Sequence, residues 1–138
     1  MGPKHQQIPI WRDATRMLVE IEQAVRHFPR YHKYALGSEL RLQAMAVCRA
    51  IVRAADAGRP GETADAPGRN LYRLTLAVED IKLSIQLAKE VNAFASFSEF
   101  SRVAELAVAV GKQSGGWRKR ARARARPEVQ SDAVMAGG

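Results

Sequence analysis

Apolar side chains recur along this chain at alternating spacings of three and four, the period of a helix that buries one face. Trp11, Ala14, Leu18, Ile21, Val25 and Phe28 form the first such stripe, and it predicts a helix over about 10–28. Pro9 suits a first helical turn, while Pro29 removes a donor and pushes Phe28 out of helical geometry, so the helix should stop there. Leu36, Leu40, Ala44, Val47, Ile51 and Ala54 mark a second helix, over about 33–57, with Gly58 as its C-terminal cap. Gly58 to Gly68 mixes Gly, Pro, Asp and Thr without periodicity and reads as a mobile loop. Asp65 then caps a third helix with Pro67 in its first turn, and Leu71, Leu74, Val78, Ile81, Ile85, Ala88 and Asn92 carry it, over about 66–92. Ser96-Phe97-Ser98-Glu99 has the spacing of a capping box. A fourth helix follows on Phe100, Val103, Ala107 and Val110, and the adjacent Gly115 and Gly116 should end it because continued helix there is entropically costly.

No stretch shows strand alternation of comparable length, so the expected fold is all-α: an antiparallel, up-down four-helix bundle. The expected division is a bundle domain over 1–117 and a basic, disordered tail over 118–138. Leu42, Met45 and Val52 lie off the core stripe of the second helix, and Leu76, Leu83 and Leu87 widen the apolar face of the third. Such spare apolar surface is a liability on a monomer and predicts a closed homo-oligomer that buries it.

Charge adds a second theme. Of the formal net charge of +8, half falls in residues 117–138, where six Lys/Arg face only Glu128 and Asp132. Arg118, Lys119, Arg120, Arg122, Arg124 and Arg126 make a dense cationic run able to neutralise several phosphates and release their counterions. Alternating Arg and Ala spreads that charge around a helix instead of along one face, which predicts an arm without structure until it binds. Solubilisation is the competing role for such a tail. Arg12, Arg16, Arg26, Arg30, Lys33, Arg41, Arg49 and Arg53 extend the basic character over the first two helices. For any one of these, an ordinary solvated face partly paired to acids such as Glu22 or Asp56 is the plainer reading. Tyr31, Tyr34, Trp11 and Trp117 offer flat faces for stacking on bases. Core packing competes for Trp11, and Trp117 is placed to fold back from the double glycine as a plug on the bundle end.

Catalytic chemistry is missing from the pattern. His5, His27 and His32 have no acidic or histidine partner at helical metal-site spacing, and the single cysteine, Cys48, excludes an intrachain disulfide and thiolate zinc clusters. Cys48 reads as a small buried apolar residue. Glu79 and Asp80 point about 100 degrees apart on a helix instead of converging on a substrate. Gly58, Gly61 and Gly68 match no nucleotide-binding fingerprint. The sequence therefore predicts no enzyme activity, no metal and no cofactor. A single cysteine makes a reducing cytoplasm the simplest compartment, and with no apolar run near the roughly 20 residues that cross a bilayer no membrane partner is expected.

Phe28-Pro29-Arg30, Tyr34-Ala35-Leu36-Gly37, an acidic-to-aliphatic third helix, and Gly111 followed by Gly115-Gly116-Trp117 stand in one order. Together they resemble the accessory variability determinant proteins of diversity-generating retroelements. These sit within a four-helix bundle family that also includes proteins encoded by intervening sequences of ribosomal RNA genes. The resemblance covers about residues 8–119, and Gln113 and Ser114 depart from it by making the approach to the double glycine more polar. It implies a basic homopentameric barrel of bundles. It also implies a non-catalytic partner that binds the reverse transcriptase and its template RNA, with the cDNA as a further contact, in mutagenic cDNA synthesis. The alternative within the same family is an RNA-binding or adaptor protein encoded in a ribosomal RNA intervening sequence.

Overall fold

The computed structural model describes residues 4–56 and 68–137, with side chains over 5–56 and 68–124. A 3-10 turn, Lys4–Gln7, leads into α1 (Pro9–Arg26); a short α2 (Arg30–Lys33) precedes α3 (Leu36–Asp56); α4 spans Arg69–Glu90 and α5 spans Phe97–Gly137. Among the described residues there are four long helices and no strand. α1 packs on α3 and α5, and α4 packs on α3 and α5, so the four close a ring around one core. The protein is an all-α four-helix bundle.

The core is made by the stripes the sequence displays, with one rotation. Ala14, Ile21, Val25, Leu40, Ala44, Val47, Ile51, Leu74, Val78, Ile81, Ile85, Val103, Ala107 and Val110 are all buried. On α1, however, Met17 and Ala24 reach the centre while Leu18 and Trp11 pack from its flank. A flexible thioether fills an irregular gap where four helices meet better than a branched side chain does. Removing a side chain such as Leu74 or Ile81 from water is worth about 1.5–3 kcal/mol each.

Helix ends follow identifiable chemistry. Pro9 sits in the first turn of α1, as expected. Phe28 lies beyond the helix yet is buried, held edge-to-face on Phe94 at 5.1 Å between ring centroids. Asn92, expected on the core stripe of the third helix, instead takes a φ of 59°. Its N–H donates to the Lys89 carbonyl (3.0 Å) and the Ala93 N–H donates to the Ala88 carbonyl (2.9 Å). That crossed pair satisfies the last carbonyls of α4 and reverses the chain, a termination that needs a residue tolerant of left-handed backbone. At Ser96 the capping box is half made. Ser96 Oγ accepts from the Glu99 N–H (3.1 Å), but the Glu99 carboxylate turns away to accept a hydrogen bond from His27 Nδ1 at 2.5 Å. The predicted loop, with Gly58, Asp65 and Pro67 as capping residues, lies outside the described residues; Gly68, at its end, has a φ of 94°.

Gly115 and Gly116 do not stop the last helix. α5 runs unbroken for 41 residues, about 60 Å at 1.5 Å per residue, against 18 residues in α1, about 27 Å. The entropic cost of two glycines is about 2 kcal/mol. What offsets it is packing on both sides of the pair: Ser114 is buried, and Trp117 and Ala121 pack against the core. From Arg118 the backbone continues the same helix as far as Gly137. Trp117 does cover the end of the bundle, but from within α5 and not by folding back.

Candidate nucleic-acid interface

Contacts across the bundle define two ends. His27 meets Glu99, Phe28 meets Phe94, and Gly37 lies against Val25 and Phe28. This end therefore joins the close of α1 and α4 to the start of α3 and α5. At the other end Asp13 accepts from Gln113 Nε2 (2.7 Å), and the Arg118 guanidinium lies 4.8 Å from the centroid of the Tyr72 ring. The starts of α1 and α4 thus flank α5 just where its arginine run begins.

Among the described residues, charge is divided unequally between the two ends. Around the His27 end, bases are met by acids: Arg41 Nε donates to Glu22 (2.6 Å), Arg102 lies 3.9 Å from Glu20, and Glu39, Glu90 and Glu105 stand nearby in the helices. Around the Tyr72 end, Arg12 on α1, Arg69 and Arg73 on α4, and Arg118, Lys119, Arg120, Arg122 and Arg124 on α5 outnumber the acids Asp13 and Asp56. Arg12 reaches Asp13 at 3.7 Å. Because α3 starts at the His27 end, its later residues Arg49 and Arg53 approach the same cationic end, beside Asp56. Like charges clustered in this way raise a local potential that draws polyanions and steers their encounter.

The expected binding residues are therefore not one surface. Arg12, Arg49, Arg53, Arg118, Lys119, Arg120, Arg122 and Arg124 belong to the cationic end, and all are exposed except the half-buried Arg118. Arg16 and Arg26 share one outward stripe of α1 with Val19 and Gln23, which connects the two ends along the outside. Arg30, Lys33 and Arg41 sit at the far, charge-balanced end, next to the exposed rings of Tyr31 and Tyr34. Arg126 continues α5, and its side chain lies outside the described residues.

Sequence reading passed over the residues that hold the arm in place. Tyr72 gives Arg118 a cation–π contact, worth about 0.5–1 kcal/mol at an exposed site. Ile8, Pro9, Ile10, Gln113 and Trp117, with Arg120 and Arg124, line an open cleft of about 370 Å³ between the start of α1 and the outgoing α5. Gln113, Trp117, Arg120 and Arg124 recur at spacings of four, three and four, the same stripe logic that marked the core. That signal was present but hidden by the assumption that two glycines end a helix.

The residues expected at an oligomer interface also separate. Leu42, Leu83 and Leu87 are 62 %, 59 % and 51 % exposed, and Met45 and Leu76 are exposed as well. Val52 is half-buried. On α4 the stripe Tyr72, Leu76, Leu83, Leu87 lies on the side opposite the buried positions Leu74, Val78, Ile81 and Ile85.

Cys48 is buried on α3, and burial pushes its thiol above the ordinary range, with nearby Arg49 opposing more weakly. Among the described residues no group of three or more His, Cys, Asp or Glu is placed to hold a metal ion, and no helix is long and apolar enough to cross a membrane. No protein-family model matches the chain, and no curated protein matches it. What the cationic end does is then a question for its own chemistry.

Proposed function

We propose that this protein is a non-catalytic, RNA-binding partner of a reverse transcriptase, acting as the accessory protein of a diversity-generating retroelement to support mutagenic cDNA synthesis. The observation that carries this reading is the cationic end of the bundle, prolonged by α5 beyond Gly116. A helix studded with Arg118, Lys119, Arg120, Arg122 and Arg124 presents guanidinium groups on several sides and suits a polyanion that wraps or passes across it. The partner contacts RNA backbone there and leaves its other surfaces for the transcriptase.

The finer architecture belongs to the same reading. The four helices run antiparallel, up and down, which the pairing of Asp13 with Gln113 and of His27 with Glu99 supports. Copies then associate through the outward leucines of α3 and α4 into a ring, with five as the number the family resemblance implies. A ring repeats the cationic end around one axis and multiplies its field.

The test is co-purification of the chain with a reverse transcriptase and its template RNA, together with RNA affinity measured against salt. A retained transcriptase and a steep fall of affinity with salt are expected. RNA affinity that is flat with salt, or a transcriptase that binds equally well without this chain, rejects the proposal. Leu83→Glu with Leu87→Glu reduces the mass in solution to that of one chain; an unchanged mass for this variant removes those leucines from the interface.

A further inference from the structure

The cleft beside Trp117 has features that general polyanion binding does not require. Its walls are unlike: the apolar turn Ile8-Pro9-Ile10 on one side, and on the other a stripe of α5 that ends in Arg120 and Arg124. At about 370 Å³ it falls at the small end of ligand pockets, which span about 300–1,000 Å³. Among the described residues, no acidic side chain lines it.

Gln113 is oriented by its neighbours. The Asp13 carboxylate only accepts, so the Gln113 amide nitrogen must face it, donating to Asp13 Oδ2 at 2.7 Å and to the Ala109 carbonyl at 3.2 Å. Both amide hydrogens are thereby used. The side-chain group Gln113 has left for a ligand is its carbonyl oxygen, an acceptor. Arg120 is positioned too. A Cβ at position 116 would stand 3.2 Å from Arg120 Nη1, so the guanidinium folds back along α5 into the space that Gly116 leaves open. The glycine that failed to end the helix makes room for a cation at the cleft.

An acceptor, an indole face and two guanidinium groups along one helical stripe suit one kind of occupant. We propose that this cleft holds a single unpaired nucleotide of a bound strand. The base stacks on Trp117 and donates an N–H to the Gln113 carbonyl, and the adjoining phosphate lies on Arg120 and Arg124. Every base carries a π face and an edge N–H, so the pocket selects an unpaired nucleotide over a duplex instead of reading sequence. This rests on the RNA-binding role proposed above and gives it a place where a strand is fixed and not merely attracted. A hydrophobic acidic peptide satisfies the arginines and the apolar wall and can offer a backbone N–H to Gln113, but it lacks a single planar group that presents a stacking face and that donor together.

The experiment uses the full chain carrying Trp11→Phe, in which Trp117 is the only tryptophan. A short oligouridylate is titrated while Trp117 emission is followed, and a long RNA is titrated separately by anisotropy. Saturable quenching by the oligonucleotide is expected, weakened about tenfold or more by Arg120→Gln with Arg124→Gln. Arg122→Gln with Lys119→Gln removes the same charge off the stripe and should cost less than about threefold. Gly116→Ala should weaken quenching severalfold with no change of charge, and circular dichroism confirms that each variant keeps its helices. Equal losses from the on-stripe and off-stripe pairs overturn the pocket, as does tighter binding of a Glu- and Phe-rich peptide than of the oligonucleotide. If long RNA binds with strong salt dependence while Trp117 stays unquenched, the pocket fails and the RNA-binding role survives. If long RNA does not bind but the oligonucleotide still quenches through the stripe, the role fails and the pocket stands.

Discussion

The two ends of this bundle are built from the same kind of helix and do opposite things with their polar residues. At the His27 end the chain turns twice within a short distance, and the turns are closed by aromatic packing: Phe28 on Phe94, Phe94 on Phe100, and Phe97 on Phe100. Polar side chains there meet across helices, as Arg41 does Glu22 and His27 does Glu99. At the Tyr72 end α5 does not turn at all. It leaves the bundle carrying a run of arginines, held by Trp117, Ala121 and the Tyr72–Arg118 contact. One end uses its side chains to hold the fold together, and the other gathers cations on three helices, at a cost in self-repulsion that a polyanion would relieve. In a small domain the two tasks separate because a side chain locked in packing is not available to a ligand.

The largest effect expected from that division is on RNA. Replacing Arg118, Lys119, Arg120, Arg122 and Arg124 by glutamine should lower affinity by about 10²–10³ at moderate salt and cut the slope of log K against log salt by about 0.7 for each lost phosphate contact. Neutralising Arg26, Arg30 and Lys33 at the other end should change affinity less than about threefold. Comparable losses from the two sets, measured by fluorescence anisotropy across a salt series, would erase the distinction between the ends.

Stability should answer in the reverse order. Phe28→Ala empties a buried ring site and should cost about 3–5 kcal/mol in chemical denaturation, whereas Trp117→Ala, acting on a half-buried ring, should cost less than half as much. The glycines sharpen the same contrast. A Cβ at Gly37 would stand 2.7 Å from Val25 Cγ1, so Gly37→Ala should destabilise by about 1–3 kcal/mol. A Cβ at Gly115 meets nothing within 4 Å, so Gly115→Ala should stabilise the helix by about 0.5–1 kcal/mol. A loss of stability in Gly115→Ala would mean that α5 needs a break there after all.

A smaller effect concerns pH. Burial raises the Cys48 thiol, so the folded state holds its proton more tightly than the unfolded chain does. The stability linked to this site is fully present below the ordinary thiol range and is lost as pH rises through the folded value, on the alkaline side. Cys48→Ala should flatten that alkaline loss, and in the native protein the thiol should react with a disulfide reagent much more slowly than in denaturant.

Much of the bundle was legible because burial imposes a period. Leu40, Ala44, Val47 and Ile51, and likewise Leu74, Val78, Ile81 and Ile85, are buried where spacing alone put them. Met17 and Ala24 were missed because a four-sided core selects by shape at each layer, and hydrophobicity does not encode shape. The spacing of Asn92 fits the stripe; only the turn that follows shows that its backbone, not its side chain, is what the chain uses there. Of the candidate interface, the cationic composition of 118–124 was plain from sequence. The cleft was not, because Ile8 and Arg124 are far apart in the chain and meet only through the packing of α1 on α5.

The sequence by itself determined that four amphipathic segments would form helices, where Pro29 and the Ser96 cap would mark their boundaries, and that positive charge would exceed negative. Those properties are set by spacing and residue type within a few turns of chain. Tertiary structure alone decided that Gly115 and Gly116 remain helical and that the arginines stand on a helical extension at one end of the bundle. Local propensity there is opposed by about 2 kcal/mol, and it is contact with a distant helix, through Trp117, Gln113 and Tyr72, that reverses the outcome.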